Sequence, residues 1–527
     1  MEICPTLPAA VLPRRGAFRS FTVSIPCLHL TDLWLADGTG APLKKSELLI
    51  SGGVVSAVGK EDIGAGAGVK ISCRNKIVSP GFIDVHGHSD ISILSHPDAV
   101  LARTSQGVTC EIAGNCGLSA FPVTQVNRSH LEELYARYNI PFDWQSSAEL
   151  RQLARQKVSA CDIEYLSGHN TLRAAVSGYG NDELGEPEIK RMCALLDAEL
   201  ASGVLGLSLG LLYVPGKFAS ESELYSLFKT VAVHNKIVTC HLKSEGKKLI
   251  ESIEEMIYLA RVSGLKKLNI SHFKTAGKDN FHKLGKAFEL FEEASQYGVD
   301  ITFDRYPYTQ SMTQLSLILP DEWSDIDDVT ITEKLQDNEC CREVISELQK
   351  LRSDDYWKSV TLVNSPLSKY RPFCGMTLDK LGENPAECAV EILRYNSPGA
   401  TAAFSGMSKE NMVKIITDPR CMPGSDGTAL PPGGEFGYDH PRSYGAVARF
   451  IRLLLDNGIK IEETVRRATG LPAQVFGLAN RGVIKKGVPA DITVFDPDEI
   501  DGNSTFASPS APAAGVSMLF KEGRRVL

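Results

Sequence analysis

The feature that most constrains this chain is a long alternation of apolar, strand-like runs with amphipathic helical stretches. Val158–Ile163, Val204–Leu209, Ile237–Cys240, Leu268–Ile270 and Val299–Phe303 read as strands. Between them lie stretches with apolar residues at three- and four-residue spacing: Pro187–Ala201, Ser220–His234, Lys247–Ser263 and Lys283–Gln296. Pro187 suits a first helical position, where a missing N–H costs nothing. Strands separated by whole helices pair in parallel through crossovers, not as hairpins. Repeated between residues 79 and 482, this pattern predicts an α/β fold, a (β/α)8 TIM-like barrel.

The two ends of the chain have a different rhythm. Asp32–Ala36, Glu47–Ser51, Val54–Val58 and Val69–Cys73 are short β-type runs broken by Asp37-Gly38, Gly52-Gly53 and a Gly/Ala-rich stretch. Asp491–Phe495 and Ser517–Phe520 match them at the far end, so residues 29–78 and 483–527 are expected to form one small β-domain from both chain ends. The stretch at about 311–399 fits the repeat poorly and reads as an insertion near the barrel mouth, where long functional loops collect. Residues 1–28, with Arg14, Arg15 and Arg19 among Ser and Pro, are an unassigned arm; a transit peptide is the other reading of them.

Composition narrows the partners. A net charge of −8 offers no electrostatic attraction for nucleic acid or an anionic membrane. No apolar run approaches the roughly 20 residues of a membrane-spanning helix. Thirteen cysteines are odd in number and dispersed, which does not read as a disulfide framework and suggests a reducing, cytoplasmic setting. Oligomeric state is not legible.

With only eleven histidines, their placement is informative. Ser79–His88 is an apolar run ending in His86-Gly87-His88, and alternation along a strand would point both imidazoles the same way. Ile237–His241 and Leu268–His272 each end a strand-like run in a histidine, about one βα repeat apart. Asp426 follows in the turn Gly424-Ser425-Asp426-Gly427, and Cys116 lies in Ala113-Gly114-Asn115-Cys116-Gly117. Strand ends at the C-terminal mouth of a barrel are where such folds keep their chemistry. A thiolate with two imidazoles is a zinc set that leaves a position for water. Cys110, Cys240 and Cys421 read as inert buried thiols.

Taken together these stretches resemble the N-acyl-D-amino-acid deacylase (D-aminoacylase) family of the metal-dependent amidohydrolase superfamily. Further family-like segments are Asp37–Pro42, Gly168–Arg173, Gly206–Pro215, His241–Glu245, Tyr306-Pro307-Tyr308, His440–Gly445, Thr469–Ala473 and Lys486–Asp491, so the likeness covers nearly the whole chain. The resemblance implies that Cys116, His241 and His272 hold a tightly bound Zn2+. It implies that His86, His88 and Asp426 line a second, weaker metal position, with the cysteine able to bridge. The implied reaction is hydrolysis of the amide of a small molecule, an N-acyl-D-amino acid, with Asp426 as the catalytic acid–base group. The substrate carboxylate needs a cationic anchor. Lys274, two residues past His272, is the first candidate, with Tyr213, Tyr306 and Arg442 as further substrate-binding residues and Tyr308 lining the pocket. Lys243 stands where relatives more often carry arginine, and an ammonium is no substitute for a guanidinium fork. A cyclic-amide hydrolase of the dihydroorotase or hydantoinase kind is the alternative activity, and a non-catalytic assembly partner the alternative class. Cys116 argues against the first and the full ligand set against the second.

Overall fold

The computed structural model describes residues 27–527 apart from 65–67, 159, 324–325, 327, 366, 396–398 and 435, so the arm expected at 1–28 lies almost entirely outside the described residues. Eight parallel strands close into a barrel: β1 (Phe82–Asp84), β2 (Val108–Ala113), β3 (Asp162–Tyr165, continued by Ser167–Gly168), β4 (Gly206–Gly210), β5 (Ile237–His241), β6 (Lys267–Ile270), β7 (Asp300–Arg305) and β8 (Cys421–Pro423). The seam between β1 and β8 is closed by the Val85 N–H donating to the Pro423 carbonyl at 3.1 Å. The Leu205 N–H donates to the Tyr165 carbonyl at 2.9 Å and joins β3 to β4.

The outer helices follow from their periodicity. Helix α1 (Glu221–Val233) buries Leu224, Leu227, Phe228 and Val231, an i, i+3, i+4, i+7 stripe against the barrel wall, and Ser220 caps it by accepting from the Glu223 N–H. Leu249–Ser263 and Leu284–Gln296 repeat the arrangement after β5 and β6.

Two expectations are refined. The run Ser79–His88 is not one strand: Ile77–Pro80 pairs with Leu28–Leu35 and Ile492–Phe495 in the outer sheet, and the chain enters the barrel at Phe82. The outer sheet has eight strands, among them Lys44–Ser51, Val54–Val58, Val69–Ser72 and Val516–Lys521, and so draws on both ends of the chain. Between β7 and β8 the chain builds a three-stranded antiparallel sheet (Gln310–Gln314, Thr401–Ser405, Val360–Asn364) with helices Asn338–Leu351 and Pro385–Arg394 over a core of its own. Every cysteine among the described residues is free. No helix of the described residues is long and apolar enough to cross a membrane.

Candidate metal centre

Six side chains converge at the C-terminal mouth of the barrel from five of its strand ends. The donor atoms of His86, His88, Cys116 and Asp426 all lie within 4.8 Å of one another, and so do those of Cys116, His241 and His272. Cys116 belongs to both groups, with its Sγ 3.3 Å from His86 Nε2 and 3.4 Å from His272 Nε2. Asp426 Oδ1 is 3.1 Å from His88 Nε2 and 3.6 Å from His86 Nε2. Strand alternation was not what aligned His86 with His88, since β1 ends at Asp84; the turn beyond it brings the two rings to a centroid separation of 5.4 Å.

Backbone conformation singles out three of the six. Cys116 (φ 52), His272 (φ 37) and Asp426 (φ 50) all occupy the left-handed region, where a β-carbon is crowded. The other non-glycine residues described there are Asn or Asp with the one exception of Glu522. Such strain persists only where surrounding contacts enforce it, and it clusters at working sites. Gly117, also left-handed, lets the Cys116 loop press on β4: a β-carbon there would stand 2.3 Å from Asn170 Oδ1 and 2.6 Å from the Gly210 nitrogen.

The electrostatics suit a cation. Burial alone would push the Cys116 thiol up, but the charges of the His86 and His272 imidazoles and the close approach of His272 outweigh it and hold the thiol well below its ordinary value. Asp426 behaves alike: burial raises it, and Arg442 with the neighbouring histidines brings it well below the usual carboxylate range. Both ring nitrogens of the buried His241 lack a hydrogen-bond partner, the signature of a donor whose partner is not protein. A thiolate, imidazoles and a carboxylate at this spacing fit a divalent metal of the zinc type, whose binding would displace protons from the imidazoles.

A supporting layer lies behind these groups. Asp304 Oδ1 is 3.0 Å from His86 Nδ1 and accepts from the His272 N–H at 2.8 Å. Glu245 Oε1 is 2.9 Å from His272 Nδ1 and accepts from Lys274. Burial favours protonation of Glu245, yet Lys274 and His272 overcome that and keep it well below the usual range. Lys274 is therefore no solvated surface lysine: it is 4% exposed and paired. Sequence reasoning gave neither Glu245 nor Asp304 a role, and the signal available was their place at the ends of β5 and β7.

The candidate substrate residues gather on one side. Arg442 Nη1 is 2.7 Å from Asp426 Oδ2, and its guanidinium lies 4.6 Å from the Tyr306 ring centre. Arg305 stacks on the same tyrosine at 4.2 Å. Burial would raise the Tyr306 phenol, but Lys274, Arg305 and Arg442 together lower it, and its hydroxyl has no protein partner. The Tyr213 ring is 4.9 Å from that of His241. Tyr308 sits further out, hydrogen-bonded to the Ser504 hydroxyl at 3.2 Å.

Residues 407–526 match the model of the amidohydrolase family. An N-acyl-D-glutamate deacylase of Alcaligenes xylosoxydans xylosoxydans is 29% identical over 93% of this chain and 91% of its own, and a D-aminoacylase of the same organism is 28% identical over 93% and 92%. The crystal structure of N-acyl-D-glutamate deacylase from Bordetella bronchiseptica, complexed with zinc and a phosphonate mimic of the tetrahedral intermediate, superposes with a TM-score of 0.78 at 26% identity, covering 95% of this chain and 96% of that one. The chain thus carries an amidohydrolase-family match near its C-terminal end and is similar along nearly its whole length to N-acyl-D-amino-acid deacylases. Its barrel with an extra β-domain is the architecture of those relatives.

Proposed function

We propose that this chain is a zinc-dependent N-acyl-D-amino-acid deacylase that releases a D-amino acid and a carboxylate. The observation that carries the reading is the pair of donor groups sharing Cys116, built on left-handed backbone at Cys116, His272 and Asp426. Cys116, His241 and His272 would hold the tight zinc, and His86, His88 and Asp426 a weaker second position. Zinc bound there supplies Lewis acidity, polarising the amide carbonyl and making water nucleophilic near neutral pH.

The chain's own groups do the rest. Asp426, ionised among the candidate ligands, takes a proton from the attacking water as the water oxygen bonds to the carbonyl carbon. It then gives that proton to the amide nitrogen, and the C–N bond breaks as the amine leaves. Arg442 keeps Asp426 ionised and aimed between these two steps. Lys274, Tyr306 and Arg442 converge to receive the free carboxylate of the substrate, with Tyr306 offering an unpartnered, acidified hydroxyl. Tyr213, beside His241, borders the same space.

The test is a panel of matched N-acetyl-D- and N-acetyl-L-amino acids with apolar, acidic and amide side chains, assayed with zinc supplied. Turnover confined to D-isomers supports the reading; cleavage of L-isomers only, or of cyclic amides only, overturns it. Asp426→Asn should keep the tight zinc while kcat falls by roughly 10²–10⁴-fold, and near-normal turnover would remove Asp426 from the acid–base role.

A further inference from the structure

One fully buried arginine, lying between His88 and Cys116 in sequence, holds the backbone of the residues that directly follow Asp426 and Arg442. Arg103 is 0% exposed in the short helix Leu101–Thr104. Its Nη2 donates to the Gly427 carbonyl at 2.9 Å, and its Nη1 donates to the Ser443 carbonyl at 2.9 Å. Gly427 directly follows Asp426, and Ser443 directly follows Arg442. The two carbonyls belong to separate segments, the turn after β8 and the helix Arg442–Asp456, and the Asp426–Arg442 ion pair spans the gap between them.

The guanidinium is itself held from behind. Its Nε donates to Glu111 Oε2 at 2.6 Å, and Nη2 also donates to Ser89 Oγ at 3.1 Å. Glu111 is on β2, and its other oxygen accepts from the Ser89 N–H at 3.1 Å, just past His88. The residue between the two histidines is glycine for the same reason: a β-carbon at Gly87 would stand 1.8 Å from Glu111 Oε1. Three strand ends and one helix thus meet on a planar, five-donor group whose fork a lysine cannot reproduce.

We propose that Arg103 is a positioning residue for the acid–base step: by holding the Gly427 and Ser443 carbonyls on one guanidinium, it sets the spacing of the Asp426–Arg442 pair over the reacting amide. This rests on the role given to Asp426 above. Displacing a catalytic group by about 1 Å is enough to cost roughly 100-fold in rate.

The decisive experiment uses the zinc-loaded, full-length enzyme and whichever N-acetylamino acid the wild type cleaves best. Arg103→Lys keeps a cation beside Glu111 but cannot span both carbonyls. Its metal content and melting temperature should stay near wild type, while kcat falls by about 10- to 100-fold and the fall in kcat exceeds any rise in KM. In Arg103→Ala, methylguanidinium at millimolar concentration should restore part of the lost kcat. An unchanged kcat in Arg103→Lys overturns the proposal, as does a loss of activity that merely tracks lost zinc or lost folded protein. If Arg103→Ala does not fold, Arg103→Lys alone decides. A wild type that cleaves no amide in the panel would instead refute the deacylase reading, so the two failures are distinct.

Discussion

Glu245 and Asp304 show how much of this centre depends on residues that touch no metal. Each carboxylate takes the ring nitrogen that a histidine would not use for a metal, fixing which nitrogen faces inward. Glu245→Gln should therefore weaken zinc binding by about 10- to 100-fold, read by competition with a chromogenic chelator, with the protein remaining folded. Unchanged affinity would reduce Glu245 to a partner for Lys274. The candidate ligands were legible because histidine is scarce and falls at or just beyond strand ends. Glu245 and Asp304 were not, since acidic residues are common everywhere in the chain and only their contacts distinguish them.

Among the elements, the joint between helices α1 and His169–Ser177 carries a buried charge cluster that bears on pH. Glu223 of α1 is 0% exposed and meets His169 Nε2 at 2.7 Å, with Arg173 on its other oxygen. Burial alone would raise this carboxyl, but the hydrogen bonds and charges of His169 and Arg173 outweigh it and hold it below its ordinary value of 4.5. A carboxyl depressed by folding stabilises the fold above that ordinary value, and the contribution is lost as pH falls through the lower folded value. Glu223→Gln, which strands Arg173, should cost about 3 kcal/mol near neutral pH. The melting-temperature gap to wild type should shrink as pH drops below 4.5. A gap constant from pH 7 to pH 3 would contradict this. The helices were readable from their three- and four-residue stripes, and their ends moved by only a residue or two. The run Ser79–His88 was misread as continuous because periodicity carries no mark of a chain leaving one sheet for another; only the pairing of Ile77–Pro80 with Ile492–Phe495 reveals it.

For the molecule as a whole, the metal centre ties together strand ends from around the barrel, so the ion should be part of the fold's stability. Removing it leaves a thiolate, four imidazoles and one carboxylate gathered without the ion that would bind them together. At a free zinc concentration 100 times its dissociation constant, binding adds roughly 2.7 kcal/mol. Calorimetry should show the chelated protein melting several degrees lower, and zinc but not magnesium restoring the loss. Equal melting temperatures would mean that the ion contributes nothing to the stability of the fold. The insert between β7 and β8 has its own sheet and core, and its strand Gln310–Gln314 starts two residues after Tyr308, which places it at the rim above the candidate substrate residues. Its amino-acid pattern offered no alignment to the repeat because it is a separate α/β layer rather than a barrel unit.

What the sequence determined by itself is whatever repeats or is rare. The strand–helix period dictates a parallel barrel because parallel strands need crossovers, and scarce histidines with one loop cysteine point to a metal at its mouth. What only the tertiary structure decided is the set of long-range pairings. The left-handed turns at Cys116, His272 and Asp426, the carboxylates behind the histidines, and the clasp of Arg103 on two distant carbonyls depend on segments hundreds of residues apart being brought together. Local pattern records the preferences of neighbours along the chain; it holds no record of which distant backbone a buried guanidinium will find.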